Sequence, residues 1–300
     1  MIDFLGKKKI ALTFSGILVI ASLFMIFTRG LNWGIDFKGG TLMHFKFEKK
    51  VDQGIVRKVL SKMNLSQNVQ GVKGHPKEVM IRTEYLYDDE KDGLTKDDVK
   101  NALEKALGFK IVEVLKATDI GPIVGKQLRS KAAKALLLAV IGMLIYITWR
   151  FEFKFGLGAI IALIHDCTIT IGIFVLLNKE IDVTMLAALL TIVGYSLNDT
   201  IVISDRVREN LRLLKSKGKD FQEIFNISIN ESLTRTINTS LTTFLPVLIL
   251  FTLGTGTIAN FALALMCGVV IGTYSSMYIV APFTVMWDNW ESSHEKRARK

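Results

Sequence analysis

The sequence predicts an α-helical membrane protein of six transmembrane helices, with one small α+β extracytoplasmic domain between the first and second. Three observations predict it. Half of the 300 residues are hydrophobic, more than an ordinary soluble domain of this length carries. Much of that hydrophobicity is gathered into runs of about twenty residues, the length that crosses a bilayer as a helix. One stretch, Thr41 to about Asp119, breaks the pattern with lower hydropathy and charges of both signs.

The formal net charge is +10. The Lys and Arg residues cluster beside apolar runs, where they orient helices by the positive-inside rule, so the excess points to a membrane surface and not to nucleic acid. Cys167 and Cys267 both fall inside apolar runs and form neither a disulfide framework nor a spaced metal site. The chain carries no phosphate loop, zinc motif or nucleophile elbow. An enzyme is therefore not expected, nor a cofactor or metal.

Taken in order, Lys7, Lys8 and Lys9 precede the run Ile10 to Thr28. Its apolar core is too long for a signal peptide and lacks a small-residue cleavage site, so it reads as an uncleaved first span. The turn Leu31 to Thr41 holds Trp33, suited to the interface, and Gly34, Gly39 and Gly40, which permit positive φ and close approach. Met43, Phe45 and Phe47 alternate with polar residues as a half-buried strand. Ile55, Val56, Val59, Leu60 and Met63 then recur at helical spacing after a capping Asp52. Short strands are expected at Asn68 to Val72 and Glu78 to Arg82, separated by Gly74 and Pro76. After an acidic loop, Tyr87 to Gly93, the run Thr95-Lys-Asp-Asp opens a second helix that Gly108 ends, and Lys110 to Lys116 is a last strand. The order β-α-β-β-α-β is that of a ferredoxin-like sandwich.

Gly121, Pro122 and Gly125 are expected to break the chain before a second span, Ala135 to Trp149. The third span is Phe155 to Leu177, the fourth Thr184 to Ser204, the fifth Leu233 to Leu253 and the sixth Phe261 to Trp287. Asn178 to Val183 is short enough to read as a plain outside turn, and the basic stretch Arg206 to Lys219 as a partly helical interfacial loop. Domain bounds follow: 1–29 for the cytoplasmic N-terminus and first span, 30–120 for the extracytoplasmic domain, 121–288 for spans two to six and 289–300 for a basic cytoplasmic tail. Both termini are placed in the cytoplasm of a prokaryotic cell, with Lys91 outside and Lys217 inside. Gly268 and Gly272 form a small-residue face on span six, where close helix packing is expected.

The costly residues are the charged ones at membrane depth. Asp199 lies in span four, and Thr191, Tyr195 and Asn198 share its face while Leu189, Leu190, Val193 and Leu197 lie opposite. A carboxylate there costs roughly 3 kcal/mol on insertion scales and calls for a partner, a bundle interior or water. Span five answers with Arg235, Asn238, Thr239, Thr242 and Pro246 close to one face, Arg235 at a depth similar to Asp199. The two are able to pair, as a structural ion pair or as part of a proton relay. Asp166, beside His165 in span three, is open to both a relay and a helix-packing reading.

These residues resemble the SecD/SecF family of protein-export membrane proteins. The resemblance rests on Gly34-Ile-Asp-Phe-Lys-Gly-Gly40, Gly121-Pro-Ile-Val-Gly125, His165-Asp166, Gly194-Tyr-Ser-Leu-Asn-Asp-Thr200 with Ser204-Asp-Arg-Val-Arg-Glu-Asn210, and Arg235-Thr-Ile-Asn-Thr-Ser240, in that order over nearly the whole chain. It implies one half of a twelve-span assembly like the resistance-nodulation-division transporters, completed by a SecD-like subunit. It further implies work with the Sec translocon channel, coupling the proton gradient to late movement of unfolded precursor proteins across the inner membrane, with lipid as surroundings. On that view Asp199 carries the proton, Arg235 is its charge partner and Thr239 lies one turn along. An independent proton-driven transporter of small molecules or lipids, and a scaffold with no titrating residue, are the competing classes.

Overall fold

The computed structural model describes residues 1–65, 68–72, 74–86, 93–214 and 218–298. Lys91, most of the acidic loop, and Lys217 lie outside the described residues. Among the described residues, six helices are long and apolar enough to cross a membrane, as the run lengths require. The chain divides into two compact units: 1–32, 135–179 and 184–300 in one, 33–134 and 180–183 in the other.

In the second unit, a short α2 (Ile35–Lys38) precedes β1 (Gly40–Phe47), α3 (Gln53–Lys62), β2 (Asn68–Val72), β3 (His75–Thr83), α4 (Lys96–Leu107) and β4 (Ile111–Ile120). The strand order β2-β3-β1-β4, with β1–β3, β1–β4 and β2–β3 antiparallel, is the split β-α-β arrangement expected of the ferredoxin-like order. Alternation sends Met43, Phe45 and Phe47 inward, where they meet Val56 and Leu60 of α3 and Val99 and Leu103 of α4 in one apolar core. Asp52 caps α3 through the Gly54 amide at 2.8 Å. Thr95 and Asp98 form a reciprocal capping box, and Gly108 ends α4 in the left-handed conformation at φ 73°.

Three local expectations are corrected. Strand β3 begins at His75 and takes in Pro76, which the first residues of a strand tolerate because no ladder N–H is needed there. Strand β4 runs on to Ile120, paired with β1 up to Gly40. Pro122 does not break the chain but opens a helix, α5 (Pro122–Arg150), at the position where its missing N–H costs nothing. Gly125 lies inside that helix, where a Cβ would stand 2.8 Å from the Gly39 amide nitrogen, and Gly39 itself holds φ +82°. The two glycine segments are thus tightly fitted against each other.

The short segment between spans three and four also carries more than a turn. Glu180–Val183 belongs to the second unit, where Glu180 meets Arg82 Nε at 2.8 Å, the two side chains 5% and 6% exposed, and accepts from Asn68 Nδ2. Burial pushes the Glu180 carboxyl up from its ordinary range, against the opposing pull of Arg82 and Asn68. Trp33 forms an isolated bridge with Ile181, and the Arg129 guanidinium lies 4.2 Å from the centre of the Trp33 ring.

The first unit holds α1 (Lys8–Arg29), the later part of α5, α6 (Phe153–Leu176), α7 (Val183–Leu214), α8 (Phe221–Leu253), α9 (Gly256–Ser275) and α10 (Ala281–Ala298), the last two joined by a π turn at Ser276–Val280. Several spans are longer than their apolar runs. Helix α7 continues through Arg206, Arg208 and Arg212, and α8 starts at Phe221 behind an Asp220 cap whose carboxylate accepts from the Glu223 amide. Charged residues beyond the hydrocarbon keep good helix propensity, so hydropathy marks the lipid crossing and not the helix end. The core joins Leu163, Val193, Leu197, Phe225, Ile229 and Met277. The close packing expected at Gly268 and Gly272 is present: a Cβ on Gly268 would collide with the Ile192 side chain, and one on Gly272 would meet Ser196 Cβ at 3.1 Å.

Candidate functional site

Two carboxylates lie within the spans of the first unit, and their surroundings differ. Asp166 on α6 is 0% exposed. Its Oδ1 lies 2.8 Å from His165 Nδ1, and its Oδ2 accepts from Ser196 Oγ of α7 at 2.7 Å and Ser275 Oγ of α9 at 2.8 Å. His165 stacks on Tyr274 with ring centres 6.4 Å apart, and the Tyr274 hydroxyl donates to the Ala11 carbonyl of α1 at 3.0 Å. A buried polar group is tolerable when it is hydrogen-bonded, and here both oxygens have partners, drawn from α6, α7 and α9.

Asp199 on α7 is 1% exposed, yet its Oδ2 is buried without a hydrogen-bond partner. Thr239 and Arg235 of α8 are the polar groups that face this carboxyl. The Thr239 hydroxyl is shared between this carboxyl and the carbonyls of Thr236 and Arg235, which lie 2.9 and 3.1 Å from it. Arg235 is exposed. No ion pair within 4.0 Å joins it to Asp199 among those of the described residues. The two expected partners therefore face each other across an unclosed contact. Tyr195 Oη and Thr236 Oγ1 are likewise buried without partners.

The division of α7 into two faces follows the sequence pattern. Leu189, Val193 and Leu197 are buried in the bundle, while Thr191 and Asn198 are exposed and Tyr195 is half-buried. On α8, Arg235, Asn238 and Thr242 are exposed too, and the Thr242 hydroxyl turns back to the Asn238 carbonyl at 2.8 Å. The structure thus brings Asp199, Arg235 and Thr239 together, leaves Asn198 on the open face, and puts Asp166 in a separate cluster.

Sequence reasoning missed a cavity of about 520 Å³ whose lining includes Asp205, Arg206, Arg212, Glu231, Ser232 and Arg235. Arg206 bridges Glu231 at 2.7 Å and Glu209 at 2.5 Å, and Asn210 donates to Glu231 at 2.6 Å. The signal was the i,i+4 pair Glu231 and Arg235, which became visible only once α8 was known to begin at Phe221. Sequence reasoning also passed over Ser196 and Ser275, because a serine in an apolar run carries no mark of its own.

Comparison with known proteins shows the family of the chain. Residues 99–290 match the family described as protein export membrane protein SecD/SecF, C-terminal, and residues 24–51 match the SecD/SecF GG motif. The chain is 44% identical over 289 residues to the protein translocase subunit SecF of Calditerrivibrio nitroreducens, covering 93% of this chain and 92% of that one. It is 39% identical over 291 residues to the SecF of Pseudomonas aeruginosa, covering 97% and 92%. The crystal structure of SecDF, a translocon-associated membrane protein from Thermus thermophilus, superposes with a TM-score of 0.84 at 35% identity, covering 96% of this chain and 39% of that chain. The chain thus spans about two fifths of that solved SecDF chain.

Proposed function

We propose that this chain, which belongs to the SecD/SecF family of protein-export membrane proteins, is an accessory subunit of the Sec translocase that couples the proton gradient to late steps of precursor movement, together with a SecD-like subunit. The observation that carries the reading is Asp199: a buried carboxyl with one oxygen open, facing a guanidinium to which it is not bonded. A proton lands on Asp199 Oδ2 without displacing any donor, whereas Asp166 Oδ2 already accepts from two serine hydroxyls and its Oδ1 faces His165. Asp199 is therefore the group suited to repeated loading and unloading.

The distance from Asp199 to Arg235 controls how tightly the site holds its proton, since an approaching cation favours the ionised form. Ionised, Asp199 draws Arg235 in; protonated, it releases it, and α7 and α8 are free to shift. Each elementary charge moved down the gradient supplies about 2.3 kcal/mol per 100 mV. Thr239 stands ready to donate to the ionised carboxylate, and the cavity beside Arg235 offers water a way out. The polar faces of α7 and α8 need a covering partner in lipid, which supports a SecD-like subunit; the additional length of the SecDF chain agrees with it. The Sec channel and unfolded precursors are the remaining partners in this reading, and a prokaryotic inner membrane with both chain ends in the cytoplasm is its setting.

Asp199→Asn keeps size and removes titration. In inverted membrane vesicles, precursor translocation is expected to lose its uncoupler-sensitive increment while recovery of the complex with the SecD-like subunit is unchanged. Full retention of that increment overturns the relay and leaves a scaffold.

A further inference from the structure

We propose that Asp166, Ser196 and Ser275 form a positioning cluster that sets the height and rotation of α7, so that Asp199 meets Thr239 and Arg235, and that Asp166 itself carries no proton in the cycle. The inference rests on the reading of Asp199 as the proton-carrying group. Ser196 stands one helical turn before Asp199 on α7, so whatever fixes Ser196 fixes the carboxyl beyond it.

Two independent constraints fix Ser196. One is polar: Asp166 Oδ2 takes hydrogen bonds from Ser196 of α7 at 2.7 Å and from Ser275 of α9 at 2.8 Å, both wholly buried. Three helices meet on one oxygen. The other is steric: with glycine at 268 and 272, α9 approaches until Gly272 stands against Ser196 Cβ and Gly268 against Ile192. Together they stop α7 from rotating or sliding on this side. The adjoining face, where Asp199 and Tyr195 lie, has no comparable clasp: Asp199 Oδ2 and Tyr195 Oη are without partners.

Ser275 ends α9 directly before the π turn Ser276–Val280, where one extra residue per turn changes the phase between the two halves of the span. The surroundings of Asp166 Oδ1 complete the clasp, with His165 between Asp166 and Tyr274, and Tyr274 bonded to α1. The site is built as a fixed bearing on one face of α7 and a loose contact on the face beside it, which is what a helix carrying a switching group needs.

The test uses the full chain with its SecD-like partner in lipid vesicles, and two readouts. One is the uncoupler-sensitive translocation increment. The other is the infrared carbonyl band of the protonated Asp199 carboxyl, assigned by its disappearance in Asp199→Asn. Asp166→Asn, which retains an acceptor oxygen for the serines, is expected to keep part of the increment and to shift the Asp199 band. Ser196→Ala combined with Ser275→Ala, which leaves the Asp166 carboxyl and its His165 contact in place, is expected to shift the band in the same sense, and Ser196→Thr to restore it toward the wild-type position. Loss of the increment in Asp166→Asn as complete as in Asp199→Asn makes Asp166 a relay member and overturns the proposal. An Asp199 band unmoved by the serine replacements reduces the cluster to packing and overturns it too. If Asp199→Asn itself keeps the increment, the proton reading falls, and the band shift still reports separately whether the cluster positions Asp199.

Discussion

Arg235 separates two accounts of the membrane carboxylate. In a structural ion pair the guanidinium is bonded and buried, because removing one partner of a buried pair costs about 3–5 kcal/mol. Here it is exposed and faces Asp199 without a bond, as expected of a partner that approaches only in part of a cycle. Arg235→Lys keeps a charge but loses the planar fork, so its uncoupler-sensitive translocation is expected to fall below wild type yet stay above that of Arg235→Met. Equal losses in the two variants, measured in the same vesicles, would show that charge at this position is irrelevant. Among the residues named from the sequence, Asp199, Arg235 and Thr239 were recoverable because a polar residue in an apolar helix stands out and recurs at helical spacing. Ser196 and Ser275 were not, since only the neighbouring helices give their hydroxyls a target.

Single helices carry predictions that depend on how closely their surfaces meet. Gly268→Leu forces a side chain into the space of Ile192, and overpacking of this kind costs about 1–3 kcal/mol. The detergent-solubilised chain is expected to unfold at a distinctly lower temperature, while Gly142→Leu, on α5 with nothing within 4 Å of its Cβ position, leaves the midpoint near wild type. In the second unit, the hydrogen bonds from the Thr95 backbone and side chain hold the Asp98 carboxyl below its ordinary value of 3.8. A group whose folded value is depressed contributes stability above its unfolded value and loses it as pH falls through the folded one. Amide-exchange protection in the first turn of α4, corrected for intrinsic rates, is therefore expected to decline on acidification below about 3.8, and Asp98→Asn to remove that dependence.

At the scale of the whole chain, the second unit tests how far a sequence segment is a domain. The stretch 41–116, taken alone, shortens β4 by four residues and lacks Glu180, the buried partner of Arg82. A fragment of residues 33–120 keeps the complete four-stranded sheet and its apolar core, and is expected to unfold cooperatively in urea. Arg82→Met then separates the roles: in the full chain it strands the Glu180 carboxylate and costs about 3 kcal/mol, and in the fragment, where Glu180 is missing, it costs much less. Hydrogen exchange of the β3 amides reads both, and equal costs would show that Glu180 contributes nothing to the unit. The six-span topology is checked with single cysteines at Lys58 and Arg212, both exposed, after replacement of Cys167 and Cys267 by alanine. An impermeant reagent is expected to label position 58 in intact cells and position 212 only in opened ones.

The sequence by itself determined the elements: six spans from apolar run length, a β-α-β-β-α-β domain from alternation and caps, and the charged residues that a bilayer makes expensive. Those signals are local, written within one helical turn or one strand, and need no neighbour to be read. Tertiary structure alone decided which polar groups are answered. Asp166 and Asp199 look alike in sequence, each a single acid in an apolar run, yet one takes donors from two further helices and the other keeps a buried oxygen open. It also assigned Glu180–Val183 to the second unit, through an ion pair between residues 98 positions apart, Arg82 and Glu180. The physical reason is the same in each case. The cost of burying a charge is fixed by the residue, but its compensation comes from whatever the fold brings within about 3 Å, and that distance spans helices and strands far apart in the chain.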